Sequence, residues 1–143
     1  MSKRSGQYVT VRELIEEVGV DAVRFVFLTK SYDSPLDFDI DRVKRHDSEN
    51  PVYYVQYAHA RICSIFRKAD SENILLPEKP SMVLNQLEMD EEMQLIRYMA
   101  EFPSLLEDIC NTYEAHRLTY YLTELSSIFH RYFNLGNKFR CLM

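Results

Sequence analysis

Apolar side chains recur at three- and four-residue steps through most of this chain, the spacing that gathers residues along one side of an α-helix. The longest unbroken run covers residues 50–69, NPVYYVQYAHARICSIFRKA. Asn50 can cap a helix with its side-chain carbonyl, and Pro51 then fills the first helical position, where its missing N–H costs nothing. Val52, Val55, His59, Ile62 and Phe66 fall along one side, which is predicted to face a core, while Tyr53, Tyr57, Arg61 and Lys68 fall around the rest of the circumference. A second long run, from Ala115 to about Phe133, turns Leu118, Leu122, Leu125, Ile128, Phe129 and Phe133 inward, and the segment 134–137 with Gly136 is predicted to stop it.

Shorter elements fill the rest. Thr10 followed by Glu13 has the capping-box spacing and opens a short helix that Gly19 terminates. Asp21 can cap a second helix, carrying Ala22, Phe25, Val26 and Leu28 to about Thr29. Residues 31–35 must turn, and Leu36, Phe38 and Ile40 alternate with Asp37 and Asp39 as a brief extended segment, with a turn or two of helix over 41–46. The stretch DSENILLPEKPS reads as a connector, and 82–89 is ambiguous. Residues 90–101 place Leu95, Ile96, Met93 and Met99 at helical spacing, and Pro103 sits where one more helix, carrying Leu105, Leu106 and Ile109, can begin. The whole is predicted to be all-α, a helical bundle with the two long helices in contact at its core.

Length and composition narrow the function. The 143 residues fit one ordinary domain able to bury a core without staples. Three widely spaced cysteines, Cys63, Cys110 and Cys141, do not form a disulfide framework or a zinc pattern, which suits a reducing cytoplasm. Neither a signal peptide nor a membrane span is visible. Net charge is −5, which argues against a sequence-blind nucleic-acid binder. The charge is uneven: residues 1–69 hold 11 Lys/Arg against 10 Asp/Glu, 70–113 hold 2 against 10, and 114–143 hold 4 against 2. An RNA-facing surface would therefore be built from the first and last thirds, with the acidic middle turned to solvent.

Candidate chemistry is sparse. No glycine-rich phosphate loop, nucleophile elbow or HExxH occurs. His59 and Cys63 are four apart, too few ligands for a metal site, and no metal is expected. His116 and His130 on the last helix have no evident carboxylate partner and read as boundary residues. Tyr53, Tyr54 and Tyr57 have two readings that spacing does not separate. They are amphipathic boundary residues, or, beside Arg61, rings that stack on unpaired bases while the guanidinium neutralises phosphate.

Several tracts resemble a known family. Residues 1–65 are similar to the part of bacterial-type arginyl-tRNA synthetases that follows their nucleotide-binding core. Met1-Ser2-Lys3 resembles the end of the KMSKS loop of class I synthetases, and GVDAVRFVFL with LDFDID resembles their stem-contact segment. NPVYYVQYAHAR resembles the opening helix of the anticodon-binding domain, and EAHRLTYYLTELSSIFHRYFN resembles the DALR-type helix that follows. Arg4 stands where the general signature has serine, and Ala115 where many relatives have proline. The family's Rossmann domain and HIGH motif would precede Met1, and the family continues through another helix or more beyond Met143.

The resemblance implies a KMSKS-like loop and stem-contact segment over residues 1–47 and a DALR-type bundle of the class I synthetase anticodon-binding type over 48–143. It implies a cytoplasmic partner of arginine-accepting tRNA, acting on neither DNA nor membrane, in an enzyme that attaches arginine with ATP and Mg2+. Lys3 would be the mobile-loop lysine of that whole enzyme, and this chain by itself, without bound cofactors, is expected not to aminoacylate. Tyr53, Tyr57 and Arg61 on the first long helix and His116, Tyr120 and Arg131 on the last are the expected tRNA-contacting residues. The alternative is a helical interaction module, docking on a separately encoded catalytic half or on itself.

Overall fold

A computed structural model of the chain describes residues 9–75, 79 and 86–140. Among them are seven α-helices and no strand: α1 Val11–Val18, α2 Val20–Leu28, α3 Ile40–Val43, α4 Pro51–Ser71, α5 Asp90–Ala100, α6 Phe102–Thr112 and α7 His116–Arg140. The all-α bundle is as the periodicity predicts. No helix among the described residues is long and apolar enough to cross a membrane. Lys3, residues 76–78, 80 and 81 of the connector, and residues 82–85 lie outside the described residues.

Local chemistry sets the helix ends. Thr10 Oγ1 accepts from the Glu13 N–H, and the Glu13 carboxylate accepts from the Thr10 N–H at 2.7 Å, closing the capping box. Gly19, at φ 86° and ψ 157°, ends α1 and begins α2, so Asp21 sits in the first turn of α2 and does not cap it. A side chain would strain this backbone, and glycine lets the two helices fold back within one residue. Asn50 is buried and fully committed. Its Oδ1 accepts from the N–H groups of Val52 and Tyr53, while its Nδ2 donates to the carbonyls of Val43 at 2.6 Å and Arg45 at 2.8 Å. One amide thus caps α4 and ties it to the end of α3.

The apolar core gathers around that joint. Leu14, Ala22, Val23, Phe38 and Val43 from the first three helices and the loop before α3 close over Val52 of α4, with Val9, Val18, Phe25, Val26 and Ile40 packed against them. The extended segment predicted over 36–40 delivers Phe38 here without forming a strand.

Elsewhere α7 is the shared strut, packing against α2, α4, α5 and α6. Its partners are held by specific polar contacts: the Tyr121 ring stacks on Tyr98 at 4.9 Å and its hydroxyl donates to the Tyr98 carbonyl, while the Tyr132 hydroxyl donates to Glu92. The two long helices do meet, and the six residues predicted to face inward on α7 are buried or half-buried, but polar side chains share that face. The buried positions of α7 include Thr119, Ser126 and His130 beside Tyr121 and Ile128. On α4 Val52 and Ala58 are buried, whereas Ile62, Ile65 and Phe66 are exposed.

Two further expectations change. Helix α7 runs through Gly136 to Arg140 and does not stop near Phe133. His130 is a buried residue, 6% exposed, rather than a boundary one. The acidic middle is mostly on the surface, as expected, with Glu101, Glu107 and Asp108 exposed.

Candidate nucleic-acid interface

The crossing of α4 and α7 brings together most of the chemistry that could meet RNA. On α4 the i, i+4 pair Tyr53 and Tyr57 stack with ring centroids 5.7 Å apart and planes 9° from parallel. Arg61, one turn further, lays its guanidinium 4.4 Å from the Tyr57 ring centre and 4.6 Å from that of Phe133 on α7, a cation held between two aromatic faces. His130 closes the cluster, with its ring 4.6 Å from Tyr54 and 5.7 Å from Tyr57.

The hydrogen bonds fix the state of that histidine. Nε2 of His130 lies 3.1 Å from the Tyr54 carbonyl oxygen, which only accepts, so Nε2 carries the proton. Nδ1 lies 3.0 Å from Nη1 of Arg61, which only donates, so Nδ1 is bare. The imidazole is therefore neutral. Burial holds its pKa below the ordinary histidine value, the Tyr54 carbonyl works against that, and the Arg61 charge adds to the lowering. A second proton would sit beside a guanidinium and remove the acceptor that orients it.

The expected contact residues do not form one surface. Tyr53, Tyr57 and Arg61 converge at the crossing, with Tyr57 exposed and Tyr53 and Arg61 half-buried. Tyr120 and His116 sit at the other end of α7, about 15 Å and about 21 Å along the axis from His130 at the helical rise. There the rings meet edge to face at 5.6 Å, and the Tyr120 hydroxyl donates to the Thr29 carbonyl beyond α2. Arg131 is exposed on the side of α7 facing α5, in a groove with Glu91 and Gln94, and its guanidinium lies 3.9 Å from Glu124.

His130 and Phe133 are the cluster members that the sequence reading assigned to other roles. Thr119, Ser126 and His130 recur at seven- and four-residue steps on the buried face of α7, a helical stripe concealed because its members are polar. Among the described residues no group of three or more His, Cys, Asp or Glu is placed to hold a metal ion; His59 and Cys63 contact only each other in this respect, with Sγ 3.6 Å from Nε2.

Residues 55–142, which carry Tyr57, Arg61, His130 and Phe133, match the DALR anticodon binding domain. The chain belongs to the DALR anticodon-binding domain family. Its similarity extends further: it is 46% identical to the arginine–tRNA ligase of Syntrophotalea carbinolica over 95% of this chain and 24% of that protein. It is 52% identical to the arginine–tRNA ligase of Aquifex aeolicus over 94% of this chain and 23% of that protein. A crystal structure from Campylobacter jejuni, assigned as an arginyl-tRNA synthetase, superposes with a TM-score of 0.75 at 32% identity, covering 93% of this chain and 29% of the other. This DALR chain thus spans about a quarter of the length of the curated relatives it matches. The α4–α7 crossing brings the two ends of the matched region together.

Proposed function

We propose that this DALR chain binds the anticodon arm of an arginine-accepting tRNA as part of an arginine–tRNA ligase. The observation that carries the reading is the Tyr57–Arg61–His130–Phe133 cluster: an exposed ring and an oriented guanidinium, placed side by side within the matched anticodon-binding region. Tyr53 and Arg61 already pack on the Tyr57 ring, so RNA would meet the remaining exposed surface of that ring, with the Arg61 charge beside it to neutralise phosphate. Whole-enzyme chemistry, with ATP, Mg2+ and Lys3 as the KMSKS-like lysine, belongs to the same proposal. No described residue cluster is suited to the metal, and no step of that reaction is assigned to the described residues.

The test is titration of the purified chain with arginine-accepting tRNA and with an unrelated tRNA at several salt concentrations. Preferential binding of the first supports the proposal, and equal affinity for both overturns it. Arg61→Ala should weaken the preferred complex by about tenfold or more and lower the salt dependence. The chain alone should show no arginine-dependent exchange between ATP and pyrophosphate, and measurable exchange would refute that part.

A second reading, a module docking on a separately encoded catalytic half or on another copy, is favoured by Ile62, Ile65 and Phe66, a run of exposed apolar side chains along α4. Concentration-dependent sedimentation without tRNA affinity would support it instead.

A further inference from the structure

Arg45, Arg117 and Arg131 each lie beside a carboxylate, of Glu49, Asp108 and Glu124 respectively. Arg61 is held differently. Its hydrogen-bond partner among the described residues is the bare Nδ1 of His130, 3.0 Å from Nη1, and its guanidinium lies between the Tyr57 and Phe133 rings. A carboxylate in that place would orient the guanidinium and also neutralise it, whereas a neutral imidazole orients it and leaves the charge whole. The other N–H groups of Arg61 make no hydrogen bond among the described residues, so an anion has donors to meet.

The imidazole is itself fixed from the helix that carries Arg61. His130 is buried, and its Nε2–H donates to the Tyr54 carbonyl, about two turns before Arg61 on α4, so the Nδ1 lone pair has one direction. A proton taken up at Nδ1 would turn this acceptor into a second donor facing a cation. From α4, Arg61 is the charge that faces His130, beside the rings of Tyr54 and Tyr57. Along α7 the neighbouring Arg131 is exposed, and α5 meets other sides of the helix, with Glu91 in the groove beside Arg131 and Glu92 bonded to Tyr132. Helices α2 and α6 bond to α7 nearer its start, at Thr119 and Arg117.

We propose that His130 is a positioning residue: its unprotonated Nδ1 holds the Arg61 guanidinium in place for an RNA phosphate without neutralising it, and protonation there releases the arginine and weakens RNA binding. The inference deepens the tRNA reading and rests on it.

The test measures binding of arginine-accepting tRNA to the whole chain from about pH 7.5 down to about pH 5.5 at constant salt, with folding checked by the melt of each variant. At the upper pH, His130→Ala should weaken binding by about as much as Arg61→Ala, about tenfold. The double variant His130→Ala, Arg61→Ala should lose no more than either alone, because both changes remove one contact. Gln offers an N–H toward Tyr54 and an oxygen toward Arg61, so His130→Gln should recover most of the loss. It takes up no proton, so wild-type affinity should fall relative to His130→Gln as the pH drops; His46, His59 and His116, present in both chains, cancel in that ratio. If His130→Ala does not fold, the comparison of wild type with His130→Gln still decides. Additive losses in the double variant, or one pH profile shared by wild type and His130→Gln, would overturn the inference and leave the anticodon reading intact. In the RNA-free chain, nitrogen chemical shifts should place the His130 proton on Nε2, and a proton on Nδ1 would overturn the inference without any RNA. Failure of the wild-type chain to bind tRNA would sink both readings.

Discussion

Two side chains show how much of this molecule turns on the direction of single hydrogen bonds. Asn50 uses its oxygen toward two N–H groups and its nitrogen toward two carbonyls, and only an amide can do both. Asn50→Asp keeps the cap acceptor but turns a carboxylate toward the Val43 and Arg45 carbonyls. It should cost about 2–4 kcal/mol near neutral pH, where a simple exposed cap would tolerate the change at almost no cost. Urea denaturation reads the difference; wild-type stability would mean that the two donor bonds contribute nothing. His130 is directional in the same way. Its folded pKa lies below the unfolded value of about 6.5, so the unfolded chain binds the proton more readily. Its contribution should be whole above that pH, fall as the pH drops from there through the depressed folded pKa, and level off below it. His130→Gln should flatten that part of the stability profile. Arg61→Lys keeps the charge but loses the planar fork between the rings, so it should bind tRNA less well than wild type while restoring salt dependence relative to Arg61→Ala.

At the scale of elements, starts were easier to read than stops. Thr10, Asn50 and Pro103 mark helix starts because their own side chains act there, as cap oxygens or as a ring that needs no N–H, whatever the rest of the fold does. Stops depend on backbone angles that a glycine permits without requiring. Gly19 takes positive φ and ends α1; Gly136 remains helical inside α7. The paired substitutions should therefore move in opposite directions. Gly19→Ala should lose about 1–3 kcal/mol from the strained backbone, although open space surrounds it, and Gly136→Ala should gain about 0.5–1 kcal/mol in melting experiments. The inward face of α4 shows a related limit. Its helical period was legible, but the phase was not: Val52, Val55, Ala58 and Arg61 turn toward the rest of the fold, while Ile62 and Phe66 of the expected stripe are exposed. Hydropathy left Arg61 off the inward stripe, because a half-buried guanidinium between rings scores as polar even where it packs as a plate. Pairing across 69 residues, as between Arg61 and His130, leaves no local mark in the sequence at all.

The described part of the molecule is held by a small apolar core at one end and by a mixed seam along α7, in which aliphatic and aromatic side chains alternate with Thr119, Ser126 and His130. Among the described residues no large side chain is less than 2% exposed, and six side chains around the α3–α4 joint make up the buried hydrophobic cluster. Such a core leaves a modest margin, since net stability is a small difference between burial and chain entropy. A ligand that binds only the folded chain then has a visible effect on melting. At a hundredfold excess over its dissociation constant, linkage adds about 2.7 kcal/mol, worth several degrees for a domain of this size. The seam that RNA is proposed to touch joins α4 to α7, the two helices that connect the apolar joint to the α5–α6 pair. Arginine-accepting tRNA should therefore raise the melting temperature of the whole chain by several degrees as one cooperative unit at low salt. The shift should shrink as salt rises, because released counterions drive the association. The Arg61→Ala chain, compared with its own tRNA-free melt, should gain much less. A shift confined to an early transition, with the α7 seam melting later at an unchanged temperature, would place the RNA somewhere other than the α4–α7 crossing.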